Sequence, residues 1–120
     1  MISRLPNMPE NILAFKATGE VTAEDYEKVL IPAVETILKK YRKVRMFYDL
    51  GPEFKGFTVG AMWDDAKVGL KHLAAWDKIA LVTDVRWLRN MMRCVAFMIP
   101  GTVKVFGCKD EEAARNWIIY

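Results

Sequence analysis

From Asn11 to Val21 apolar and polar positions alternate: Leu13, Phe15, Ala17 and Val21 point one way, Ala14, Lys16, Thr18 and Glu20 the other. A period of two predicts a strand with one wetter face. Residues 44–50 and 102–106 alternate in the same way, and residues 1–5 add a short first strand stopped by Pro6. Residues 78–83 form a continuous apolar run of strand length, the pattern of a strand buried on both faces. Between the strands the period changes to that of a helix. Thr22 and Asp25 are spaced as a capping box, opening a helix to about Lys40 with Tyr26, Val29, Leu30, Val34, Ile37 and Leu38 inward. Pro32 lies inside it and removes a backbone donor, so a kink is expected there. Residues 51–57 read as a loop. Thr58 caps a second helix to about Trp76, with Val59, Met62, Trp63, Ala66, Leu70 and Leu73 inward and Asp64, Lys67 and Lys71 opposite. A third helix covers residues 85–99, and a terminal one packs Ala113, Ala114, Trp117 and Ile118.

Strands alternating with helices of this length predict βαβ units: an α/β fold with a mostly parallel five-stranded sheet and about four helices in one domain over residues 1–120. Lys16, Thr18, Arg45 and Lys104 occupy alternate strand positions. The helices are therefore expected mainly on one face, with the other partly wet or used for association.

The third helix stands out. Arg86, Arg89, Asn90 and Arg93 share one stripe, while Trp87, Leu88, Met91, Met92, Val95, Met98 and Ile99 cover the rest. That apolar arc exceeds the stripe of about 100° that seats a helix on one sheet. Either the helix is nearly engulfed, or part of its surface is meant for something outside the domain. Arginines beside Trp and Met match helices that lie at membrane surfaces; a core helix with a solvated outer face accounts for Leu88, Met92 and Val95 but less well for Trp87, Phe97 and Met98.

Charge sharpens this only locally. The net charge of +3 is too small to argue for nucleic acid. Residues 85–109, however, hold Arg86, Arg89, Arg93, Lys104 and Lys109 and no acid. Two cysteines make no disulfide framework, and with one histidine a zinc site is not expected. No apolar run is long enough to span a bilayer, and the first residues lack the apolar core of a signal peptide, so a cytoplasmic location is the default.

No catalytic constellation emerges. Ser3 is the only serine, which argues against Ser–His hydrolysis, and Gly56, Gly60 and Gly69 fit no phosphate loop. Asp84 stands at the carboxyl end of a strand, where ligands of open α/β sheets gather, or it simply caps the next helix. Asp49 is similarly placed, and two such acids could hold magnesium, but no phosphoryl-transfer context supports that. Asp65 precedes His72 by about two turns, roughly 10.5 Å, too far for an acid–His dyad. His72 then belongs to a polar rim.

Several short motifs together carry a resemblance: residues 19–27 (GEVTAEDYE), 30–32 (LIP), 63–67 (WDDAK), 71–72 (KH) and 83–87 (TDVRW). The chain resembles the bacterial SpoIIAA-like proteins, small stand-alone relatives of the sulfate-transporter and anti-sigma-antagonist (STAS) domains. The resemblance implies a β/α superhelix shared with lipid-carrying CRAL-TRIO domains. It also implies a phosphoacceptor opening the second helix, where this chain offers only Thr58.

The expectation is a non-enzymatic, cofactor-free binding domain that takes a small apolar or lipid-like ligand between helices 59–76 and 85–99. Trp63, Trp76, Trp87, Met91 and Met98 would line or gate the cleft, with Asp65, His72 and Asp84 as its polar edge. Arg86, Arg89 and Arg93 would meet an anionic membrane, placing the chain peripherally on the inner face. The alternative is a STAS-type module binding a protein partner or a second copy, without nucleic acid.

Overall fold

The computed structural model describes residues 1–6 and 8–120, and of Leu70 and Leu73 the backbone alone. The inward placement expected of those two leucines lies outside the described residues. The main sheet contains β1 (Ile2–Arg4), β2 (Ile12–Ala17), β4 (Val44–Leu50), β6 (Trp76–Thr83) and β7 (Thr102–Phe106), side by side in that order. β1 runs antiparallel to β2, and all other neighbours are parallel. The fold is thus α/β with a mostly parallel mixed sheet, as the alternation predicts.

The expected strand over residues 11–21 is broken. Gly19 takes a left-handed φ of 61°, which a Cβ would disfavour. The chain turns there and continues as β3 (Gly19–Val21), which pairs with β5 (Phe54–Phe57) in a separate two-stranded sheet. The segment read as a loop therefore contains a strand. Phe54 is buried, its ring centroid 4.8 Å from that of Phe57. Burial of both aromatics outweighs the Gly and Pro punctuation before them.

The Thr22–Asp25 capping box forms and opens α1 (Ala23–Asp25). Without a break the rod continues through a π-helical turn (Tyr26–Leu30) into α2 (Ile31–Leu38), whose first turn holds Pro32. The disturbance expected at the proline is thus absorbed one turn earlier, by wider hydrogen bonding. Three more rods follow: α3 (Val59–Lys71), α4 (Arg86–Ala96) and α5 (Glu111–Ile119). α3 ends at Lys71, and a 3-10 turn (Leu73–Ala75) leads to Trp76, which opens β6 instead of closing the helix.

Strand alternation divides the core. Leu13, Phe15, Met46, Tyr48, Leu50 and Leu81 face the rods α1–α2, α3 and α4. Ile12, Ala14, Phe47, Ala80 and Val82 face α5, which buries Ala114 and Ile118 against them, while Ala113 is exposed. The face expected to be wet is thus partly roofed, and its charges hold the roof. Arg45 donates to the carbonyls of Ile118 and Ile119 at 2.9 and 3.0 Å, where the α5 macrodipole favours a cation. Lys78 and Lys104 lie over the Trp117 ring at 5.1 and 5.8 Å.

Candidate functional site

On the other face the helices do not close on the sheet. α3 packs against α1, the π turn and β5, and α4 packs chiefly against β7. Between them lies a cavity of about 400 Å³. Its floor is Met46, Tyr48, Leu50, Trp76, Ile79 and Leu81, from the two central strands. One wall is α3, through Met62, Asp65, Ala66, Val68 and Gly69. The other is α4 and the residues after it, through Leu88, Met91, Met92, Val95, Met98 and Ile99. Leu30 and Phe57 complete the lining. Asp65 is the charged residue among these otherwise apolar or aromatic groups, a composition typical of small-molecule sites.

The polar groups are connected. Tyr26 Oη donates to Asp65 Oδ1 at 2.8 Å, and the hydroxyls of Tyr26 and Tyr48 are 3.1 Å apart. A hydroxyl has one hydrogen. With that of Tyr26 given to Asp65, Tyr48 must be the donor to Tyr26. Burial, then the Asp65 charge, pushes the Tyr26 hydroxyl well above the usual tyrosine range, and burial raises Tyr48 as well. Burial also raises the Asp65 carboxyl, while the Tyr26 hydrogen bond pulls it back down. Asp65 is surrounded by protein yet accessible to a water-sized probe, because it faces the cavity and not a sealed core. In the same wall the Trp76 Nε1–H is sealed from solvent and finds no partner among the described residues, a cost of about 1–3 kcal/mol.

Of the sequence-predicted ligand residues, Asp65, Trp76, Met91 and Met98 line the cavity, and Trp63, His72, Asp84 and Trp87 do not. Trp63 is 65 % exposed because α3 is rotated from the orientation its apolar stripe suggests. Val59 is 85 % exposed and Met62 is exposed, whereas Asp64, expected outside, is only 8 % exposed. Two contacts set this rotation. Gly60 and the buried Ala61 turn toward the first helical rod, where a Cβ at Gly60 would meet Ala23 Cβ at a tight 3.0 Å, and Asp65 is tied to Tyr26. His72 caps α3 beside Arg42, Lys43 and Lys71, in a separate shallow hollow. Asp84 accepts from the Cys108 backbone N–H at 3.1 Å, which holds its carboxyl below the usual range, and it caps no helix. Val85 fills the N-cap of α4 instead. Trp87 is exposed on the outer side of α4.

Arg86 and Arg93 are exposed, but Arg89 is half-buried and donates to the Thr83 carbonyl at 3.0 Å. Thr58 Oγ1 accepts from the Ala61 N–H at 3.1 Å as the N-cap of α3. Asp49 is buried near Glu111 on the α5 face, and its register partner in β6 is Val82, two residues before Asp84. No cluster of three His, Cys, Asp or Glu suited to a metal occurs among the described residues. Sequence reasoning missed Tyr26 and Tyr48 as site residues. The available signal was that a buried tyrosine needs a partner for its hydroxyl.

The architecture has relatives. The SpoIIAA-like family model matches residues 12–119. The chain belongs to the SpoIIAA-like family. A crystal structure of an uncharacterised DUF3478-family protein with a SpoIIAA-like fold, from Shewanella loihica PV-4, is similar to this SpoIIAA-like chain with a TM-score of 0.80 and 30 % identity. The likeness covers 98 % of this chain and 93 % of that one. Among curated proteins none matches.

Proposed function

We propose that this SpoIIAA-like, STAS-type domain is a non-enzymatic carrier that binds a small apolar or lipid-like ligand between α3 and α4. The observation that carries the reading is the cavity of about 400 Å³ with an almost wholly apolar lining. At about 30 Å³ per water-sized group it takes a ligand on the order of a dozen heavy atoms. Burying such a molecule contributes roughly 25 cal/mol per Å² of apolar surface. N-phenylnaphthylamine, a neutral, largely apolar dye with one N–H, should brighten on binding with saturation at one dye per chain. The Ala66→Phe variant, which fills the cavity, should bind none. Saturable binding unchanged in that variant would place the dye elsewhere and overturn the reading.

Docking on anionic membrane forms the second half of the proposal. Phe97 is 93 % exposed, Trp87 and Met98 are exposed beside it, and Arg86 and Arg93 add charge. Across the mouth, Met62 and Trp63 of α3 are exposed as well. A bilayer would receive these apolar groups and screenably attract the arginines. Anionic vesicles should sediment the chain at low salt and release it as salt rises; equal recovery in the supernatant at every salt removes this half. The alternative, a protein-interaction module, is favoured by one feature, the exposed Val59 and Trp63 at the start of α3. It predicts that Trp63→Ala abolishes capture of a protein partner without changing dye binding.

A further inference from the structure

The cavity's polar network has a direction, and that direction constrains the ligand. Tyr48 donates to Tyr26 and Tyr26 donates to Asp65 Oδ1, so both tyrosine hydrogens are consumed inside the network. Asp65 Oδ1 is the oxygen that accepts from Tyr26, no hydrogen bond among the described residues reaches Oδ2, and the side chain lines the cavity, where a water-sized probe reaches it. The remaining lone pairs of Asp65 and Tyr48 are acceptors. The unpartnered donor in the wall, Trp76 Nε1–H, is sealed from a water-sized probe and offers nothing to a ligand. We infer that the cavity selects an apolar molecule headed by a hydrogen-bond donor, a hydroxyl or an amine, which Asp65 Oδ2 receives. This rests on the carrier reading above and adds to it the chemistry of the head group.

The inference excludes as well as selects. A carboxylate head would bring a second acceptor, and a second negative charge, to a group with no hydrogen to give. Once a ligand displaces the water at Asp65 that mismatch is expensive, because polar groups that cannot pair there lose their hydration without return. A hydroxyl head gains one charge-assisted hydrogen bond, and an ammonium head gains an ion pair besides.

The test uses three ten-carbon chains that differ only at the head: decylamine, 1-decanol and decanoate. Each displaces bound N-phenylnaphthylamine at neutral pH. Decylamine should displace the dye at the lowest concentration, 1-decanol next, and decanoate at a concentration at least about tenfold above decylamine, the scale of one charge-assisted hydrogen bond. In Asp65→Asn the amide both donates and accepts, so the gap between decylamine and decanoate, each read against that variant's own dye affinity, should close. Asp65→Leu, which has no polar group at that position, should lose the preference altogether, again read against its own dye affinity. Decanoate competing as well as decylamine on the unaltered protein overturns the inference and leaves the carrier reading standing. A gap that persists in both variants also overturns it, since the selectivity then arises elsewhere. Failure of the dye itself to bind overturns both.

Discussion

On one face of the sheet α5 lies directly on β4 and β6, sealing Ala114 and Ile118 against Phe47, Ala80 and Val82. On the other, α3 and α4 stand apart and enclose about 400 Å³. The two faces come from the same strands, so the difference resides in how the helices are fastened. α5 is drawn down along its length: a small Ala114 permits close approach, Arg115 lies 5.2 Å over the Phe47 ring, and Arg45 holds the last carbonyls. α3 and α4 are held from the side: α3 packs on α1, the π turn and β5 with Asp65 tied to Tyr26, and α4 packs on β7 with Arg89 anchored to the Thr83 carbonyl. Helices held from the side can bridge a space over the sheet that a helix laid directly on the strands must fill.

The largest expected effect contrasts truncations on the two faces. Ile118→Ala on the filled face should cost about 2–5 kcal/mol in urea unfolding, since a buried isoleucine leaves a hole. Met91→Ala borders a space that already exists and should cost under about 1 kcal/mol. Equal losses would mean that the hollow face is packed in solution. Next, Ala66→Phe, which abolishes dye binding on the carrier reading, should raise stability by about 0.5–2 kcal/mol, as cavity filling commonly does. The same enlargement at Ala114, which is fully buried, should destabilise by about 1–3 kcal/mol through overpacking.

The smallest effect is a matter of pH. Burial raises the Asp65 carboxyl above the ordinary aspartate value of 3.8, with only the Tyr26 hydrogen bond opposing. Protonated, this group favours the fold; the stability it contributes is complete below the ordinary value and is lost as pH rises through the folded-state one. Asp65→Asn should therefore match the unaltered protein in acid and surpass it at neutral pH. A thermal-unfolding comparison that shows no pH-dependent gap between the two would argue that Asp65 is solvated as at a free surface.

Much of the fold was legible because it depends on local periodicity. The capping box at Thr22, the alternation in β2 and β4, and the excess apolar arc over residues 85–99 are all properties of neighbours in sequence. Met91, Met98 and Asp65 were placed at the cavity on the same basis. What escaped depends on distant partners. The rotation of α3 is set by Ala23 and Tyr26, which lie more than thirty residues before the groups they hold. An apolar stripe shows that a helix has a greasy side, not which way that side turns, so Val59 and Trp63 were read as inward. Trp76 was extended into a helix because no glycine or proline marks the turn at Leu73–Ala75. The network of Tyr26, Tyr48 and Asp65 joins a helical rod, a strand and a second helix, and no spacing along the chain encodes it.

The hollow face also governs how the molecule responds to compression. Hydrostatic pressure favours whichever state has the smaller volume, and unfolding eliminates internal voids. With its space concentrated under α3 and α4, the chain should yield to pressure on that side before the other. Squeezing it should loosen that side while α5 still grips the sheet, and an occupant in the hollow would act as an incompressible prop.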